Sequence, residues 1–179
     1  MSTLRNPVDA RDHADGPADA PVTVVEYGDY ECPYCGAAHP VVKQLKQQFG
    51  DRLRLVFRDF PIAQLHANAM EAAGVAAFGA ELDRYWPIHD ALFEHQDRLG
   101  WPLYVALATE QGLDADALRD AVGSGRFEPD IRRTFYGGLR SGVNGTPTFY
   151  VNGVRLDMSR NLGHDLRAAI EDAATAATR

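Results

Sequence analysis

The two cysteines of this chain stand in Cys32-Pro33-Tyr34-Cys35, and it has no others. They fall where a strand-like run gives way to a helix-like run, and that placement constrains the fold more than any other feature. Two cysteines three positions apart at a helix start lie on nearly one side of the first turn, close enough to close a disulfide. The unpaired N–H groups of that turn carry partial positive charge and favour a thiolate at Cys32. Thiolate, not thiol, is the reactive species in disulfide exchange. Cys32, nearer solvent and the dipole end, is expected to attack, and Cys35, one turn in, to resolve. Zinc held by this pair is disfavoured, because a structural zinc takes four ligands and no second cysteine pair exists.

Around the pair the pattern is alternately strand and helix. Pro21 to Tyr27 is β-branched, stops at Gly28-Asp29, and reads as a buried strand. From Pro33, the residues Ala37, Ala38, Val41, Val42, Leu45 and Phe49 recur at helical spacing, and Gly50 supplies the stop. Pro40 lies inside that helix and is expected to kink it. Leu53 to Phe57 is a second strand, and strand–helix–strand implies a right-handed crossover and a parallel pair. Residues 64–142 change character into short helical pieces: Ala67 to Phe78, Tyr85 to Glu94, Pro102 to Gln111, Ala115 to Val122 and Pro129 to Leu139. Thr148 to Val151 and Val154 to Leu156 then flank Asn152-Gly153, a strong hairpin signal. A last helix carries Leu162, Leu166, Ala169 and Ile170 on one face. Residues 1–20 are polar and end at the Gly16-Pro17 breaker, so they are expected to form a flexible arm.

Composition bounds the partners. A net charge of −7 disfavours nucleic acid and anionic membrane surfaces, which reward excess Lys and Arg. No apolar run approaches the roughly 20 residues that span a bilayer. The start of the chain lacks a basic segment followed by an apolar stretch, so a cytoplasmic location is expected. There a disulfide is seldom kept as a structural staple, which turns the pair toward redox chemistry.

An apolar strand, Cys-Pro-Tyr-Cys on a helix with a Pro eight residues after the first Cys, and a distant Gly145-Thr146-Pro147-Thr148-Phe149 together resemble the thioredoxin superfamily. The helical stretch between the second strand and that Pro is similar to the DsbA-type branch. The resemblance implies an α/β thioredoxin-like fold, a mixed central sheet flanked by helices. Its body is residues 21–63 and 143–179, with 64–142 as an inserted helical subdomain. It implies a thiol–disulfide oxidoreductase acting on protein or peptide thiols and disulfides, without metal or organic cofactor. Cys32 matches the nucleophile and Cys35 the resolving cysteine. Thr146-Pro147 matches the cis-proline loop that meets an extended substrate, with Pro33 and Tyr34 beside it. Glu26 matches a buried acid that handles the proton of the resolving sulfur.

Strongly oxidising members place His where this chain has Tyr34, and Asp29 and Glu31 add negative charge ahead of Cys32. The Cys32 pKa is therefore expected below its ordinary value, though less than in the strongest oxidants. Pro-Tyr between the cysteines is familiar from glutaredoxins, which leaves a glutathione-linked exchanger open. A peptide-capturing redox sensor without turnover is also open. Arg58 and His39 are expected as solvent-facing charges, and Trp86, Trp101 and Tyr104 as core of the helical stretch.

Overall fold

The structure, a computed structural model, describes residues 2–177. Five strands form one mixed sheet: β1 (His13–Asp15), β2 (Val22–Gly28), β3 (Leu53–Asp59), β4 (Thr148–Val151) and β5 (Val154–Arg155), in the order β1-β3-β2-β4-β5. The crossover helix α1 (Pro33–Phe49) joins β2 to its parallel neighbour β3, with Val22 opposite Leu53 and Gly28 opposite Asp59. β2 is central, so every residue of it except Thr23 is buried, which explains its nearly unbroken apolar run. β4 runs antiparallel to β2 and turns through Asn152-Gly153 into β5. Both turn residues have positive φ, 45° and 79°, the conformation that an Asn-Gly hairpin supplies.

Between β3 and β4 come α2 (Ala69–Ala80), α3 (Tyr85–Glu94), α4 (Trp101–Glu110), α5 (Ala115–Gly123) and α6 (Glu128–Ser141); α7 (Leu162–Ala177) follows the hairpin. The fold is thus the expected thioredoxin-like α/β sheet with a helical insert. α1 continues through Pro40 rather than ending there. Among the described residues no helix is long and apolar enough to cross a membrane.

Three buried clusters fill the layers. Val24, Val42, Leu45, Phe149, Leu166 and Ile170 join α1 and α7 to one face of the sheet. Val25, Tyr27, Val56, Phe60 and Tyr150 cover the opposite face, under Phe135 of α6. The third cluster holds Tyr104, Leu92, Ile88 and Leu118 of the insert, and both cysteines with Tyr30 and Phe57 belong to it. The insert therefore closes over the thiols and shares their core.

The N-terminal segment is not a free arm. β1 pairs antiparallel with β3, Thr3 bridges Val154, and the Leu4 N–H donates to the Gly153 carbonyl at 2.8 Å. The reason lies in Arg58, which is buried rather than solvated. A buried guanidinium needs acceptors for its five N–H groups. Both Asp12 carboxylate oxygens accept from it at 2.8 Å, the Asn6 and Pro7 carbonyls at 2.9 and 3.0 Å, and the Tyr27 hydroxyl at 3.0 Å. The ordered arm thus supplies most of the acceptors that Arg58 requires.

α6 approaches the sheet at Gly138, where a Cβ would stand 2.8 Å from Phe60 Cδ2 and 3.0 Å from Tyr27 Cδ1. Helix propensity alone would make Gly138→Ala stabilising by about 1 kcal/mol. Overpacking against two buried rings costs about 1–3 kcal/mol and reverses the sign. Gly138→Ala is expected to lower the urea midpoint without altering the denaturant slope; a raised midpoint would show that the helix has room to move.

Candidate active site

Cys32 is the N-cap of α1, with extended backbone (φ −72°, ψ 119°), and Pro33 takes the first helical position, where its missing N–H leaves nothing unpaired. Both thiols are free, forming the dithiol state. Cys32 keeps 4% exposure and Cys35 none, so only Cys32 is open to an incoming sulfur. The Cys32 S–H faces the Thr146 carbonyl at 3.4 Å, and the Asp29 N–H points at Cys35 Sγ from 3.5 Å.

The two sulfurs differ in ionisation for identifiable reasons. A hydrogen bond from the Cys35 side chain is the largest influence on Cys32; the Thr146 side chain and the backbone N–H groups of Cys35 and Tyr34 add to it, against burial, and the pKa falls to about 5. Burial pushes the Cys35 thiol well up, and its hydrogen bond to Cys32 and the Glu26 charge act the same way. At neutral pH the pair is one thiolate over one thiol.

Glu26 is buried in the centre of β2, opposite Phe57 and Phe149. Burial, reinforced by the Cys32 charge, raises its pKa to about 8. The expected buried acid is present and protonated at neutral pH. Asp29 does not oppose the helix dipole as an open charge. Its carboxylate accepts from the Ile62 N–H at 2.8 Å and the Glu31 N–H at 2.9 Å, and pairs with His66 Nδ1 at 2.8 Å. Burial weakens the His66 cation, but the Asp29 hydrogen bond and charge, with a contribution from Cys32, raise its pKa above the ordinary value. Glu31 is also engaged, accepting from the Asn68 backbone and side chain at 2.5 and 3.0 Å.

Thr146-Pro147 is a cis peptide. Thr146 and Pro147 line an open groove of about 490 Å³ with Tyr34, Val41, Met158 and Leu162. Tyr34 is 74% exposed at its mouth, and Pro33 is exposed beside it. Cys32, Cys35, Thr146, Pro147, Pro33 and Tyr34 are thus gathered at one end of the sheet, with Glu26 buried beneath.

In fold and sequence the chain has clear relatives. The thioredoxin family Thioredoxin_4 matches residues 9–172. The chain belongs to this thioredoxin family. The oxidised crystal structure of BdbD from Bacillus subtilis superposes with a TM-score of 0.87 at 22% identity, over 97% of this chain and 98% of that one. A thioredoxin-like oxidoreductase from Silicibacter pomeroyi DSS-3 gives 0.81 at 28% identity, over 93% and 94%. The chain is also 42% identical, over 171 residues, to part of the Na(+)/H(+) antiporter NhaA 1 of Salinispora arenicola, covering 95% of this chain and 26% of the antiporter. It spans about a quarter of the length of the curated relatives it matches.

Two site residues escaped sequence reasoning. Gln96, after α3, donates from Nε2 to the Tyr30 carbonyl at 2.7 Å and the Cys32 carbonyl at 2.8 Å, tying the insert to the active-site turn. Gly36 has no room for a Cβ because the Gln96 amide occupies that space. A lone Gln 64 residues from Cys32 carries no motif. His39, expected at the surface, is buried, stacked on Phe93 with ring centroids 5.0 Å apart. Its helical position looked outward only because α3 was not in view.

If the Cys35 S–H is what chiefly lowers the Cys32 pKa, its removal must raise it. Thiolate absorbance against pH is expected to give a midpoint near pH 5 in the wild type. Cys35→Ala should move it toward the ordinary value of about 8.5, whereas Cys35→Ser, which keeps an O–H donor, should hold it low. Equal midpoints in both variants would assign the effect to the helix instead.

The disulfide form isolates Glu26 in the same way. With the Cys32 charge gone, burial alone raises Glu26 there; an acid with a raised folded pKa ionises first in the unfolded chain, so folding takes up a proton and stability falls as pH rises from about 4.5 through that raised folded pKa. Glu26→Gln is therefore expected to gain stability relative to the wild type between pH 5 and 8, read as urea midpoints on the oxidised proteins. A constant difference across that range would refute the buried-acid assignment.

Proposed function

We propose that this chain exchanges disulfides with protein or peptide substrates through the Cys32–Cys35 pair, preferentially as an oxidant of substrate dithiols. The carrying observation is the Cys32 thiolate held near pKa 5 over a buried Cys35. Stabilising that thiolate stabilises the dithiol state, which makes the disulfide the better electron acceptor. A low pKa also makes Cys32 the better leaving group.

The geometry supports the following steps. A substrate thiolate attacks Cys32 Sγ, the one sulfur of the pair with exposure; the Cys32–Cys35 bond breaks and Cys35 leaves as a thiolate. Glu26, protonated at neutral pH, supplies the proton that Cys35 takes up in its apolar surroundings. A second substrate thiol then attacks the substrate sulfur of the mixed disulfide, and Cys32 leaves as thiolate with its hydrogen bonds restored. Two electrons have moved from substrate to enzyme. In the reverse direction the mixed disulfide removes the Cys32 charge, one of the two causes that raise Glu26. Its carboxylate then becomes available to take the Cys35 proton.

The groove beside Pro147 is lined by the largely apolar Tyr34, Val41, Pro147, Met158 and Leu162 and by the polar Ser159, Arg160 and Asn161. The apolar part fits a side chain of an extended peptide, and Arg160 offers a charge to an acidic group beside it.

Equilibration in glutathione buffers with thiol trapping tests the direction. A potential less negative than about −200 mV is expected for an oxidant, and one near about −270 mV would make the protein a reductant. Trapping with a Cys35→Ala variant tests the substrate class. Mixed disulfides with an unfolded protein dithiol after chemical activation of Cys32 are expected, and capture of glutathione in preference to peptide thiols would reverse that choice.

A further inference from the structure

Below the thiols, on the side of α1 facing α3, lies a cavity of about 210 Å³ that the exchange reaction does not use. His39, His89, Asp90, Trp86 and Asp15 line it. A ring nitrogen from each histidine and a carboxylate oxygen of Asp90 lie within 4.8 Å of one another. His39 Nε2 is buried without a hydrogen-bond partner, and Asp90 Oδ1 stands 3.5 Å from it, an ion-pair distance rather than a hydrogen bond.

We propose that His39, His89 and Asp90 form a three-ligand site for a divalent transition-metal ion, with zinc the expected occupant, which clamps the thiol-bearing helix to the insert. Metal–donor lengths of about 2.0–2.2 Å put two donors of a tetrahedron about 3.4 Å apart, close to the His39–Asp90 separation. Two imidazoles and one carboxylate suit zinc and its first-row neighbours; calcium and magnesium prefer all-oxygen shells. Three protein ligands leave the fourth position to water.

The surroundings supply the outer partners such a site uses. Tyr30 Oη holds His89 Nδ1 at 2.9 Å, which leaves Nε2 as the free nitrogen of that ring. Lys43 takes Asp90 Oδ2 at 2.8 Å and Glu94 at 2.9 Å, which leaves Oδ1 for the ion and satisfies the lysine charge elsewhere as well. His39 lies one helical turn after Cys35, so the ion would stiffen the helix that carries the thiols without touching them.

The test uses the full chain with its disulfide closed, so that thiolates do not compete for metal. After chelator treatment, calorimetric titration with zinc chloride is expected to show one ion bound per chain, and zinc is expected to raise the thermal midpoint. Cobalt(II) should give the intense visible bands of a four-coordinate site. His39→Gln and Asp90→Ala are each expected to weaken zinc binding by at least about tenfold. Asp90 is half-buried at the rim, so its variant carries the test if the His39 variant fails to fold. Absence of stoichiometric binding by the wild type would overturn the proposal, as would equal affinity in the wild type and the folded variants. A redox potential unchanged by these substitutions would leave the disulfide-exchange reading intact, so the two stand or fall separately.

Discussion

The chemistry of this molecule depends on how few groups satisfy the sulfur at the start of α1. A thiolate in a mostly buried position is costly unless donors reach it. The N–H groups of Tyr34 and Cys35 are there because a helix start leaves them unpaired, and the Cys35 S–H adds the strongest contribution. The same burial that leaves Cys32 its small opening closes Cys35 off entirely and keeps its proton on. One local arrangement thus gives two identical side chains opposite ionisation states. That asymmetry follows from burial and hydrogen bonding above all, since the side chains are chemically the same.

Buried acids follow the same logic by a different route. Glu26 is enclosed within β2 and Asp59 at the carboxyl end of its parallel neighbour β3. Burial raises both, with the Cys32 charge reinforcing Glu26 and the Asp29 charge reinforcing Asp59, to about 8 and about 7. Asp29 shares that end of the sheet, and its carboxylate is engaged by two backbone N–H groups and His66. Burial of Glu26 has no such hydrogen bonds to offset it. A carboxyl with a raised pKa beneath the thiols therefore results from leaving Glu26 without such donors.

Local signals in the sequence locate the elements well where they are strong and self-contained. The helical spacing from Tyr85 to Glu94 matches α3 end to end, and Asn152-Gly153 forms the hairpin turn it advertises. The Cys-Pro-Tyr-Cys start and the Thr146-Pro147 loop give the fold because both are short and chemically distinctive. What escapes is contact between distant segments. β1 is three residues long, His13-Ala14-Asp15, too short to show alternation, and it exists because β3 offers an edge. Arg58 reads as a loop charge until Asp12, 46 residues earlier, is seen against it. His39 reads as a surface residue until α3 covers it. In each case a polar residue is buried by a partner that periodicity within one helix or strand cannot reveal.

The missing histidine between the cysteines shows how such distant partners change a chemical conclusion. Tyr34 is uncharged and exposed, so by itself the motif predicts a weakly stabilised thiolate, and Asp29 and Glu31 would weaken it further. In the folded protein Asp29 is turned inward onto His66, and Glu31 onto Asn68, so both carboxylates are engaged. Burial lowers the pKa of His66, and the Asp29 hydrogen bond and charge outweigh that and raise the pKa above its ordinary value. Cys32 contributes to that rise, so the electrostatic link runs from the loop after β3 rather than from inside the motif. The acids ahead of Cys32 are thus turned onto partners in the loop after β3, and the surroundings of the thiolate follow from the tertiary arrangement, not from the dipeptide between the sulfurs.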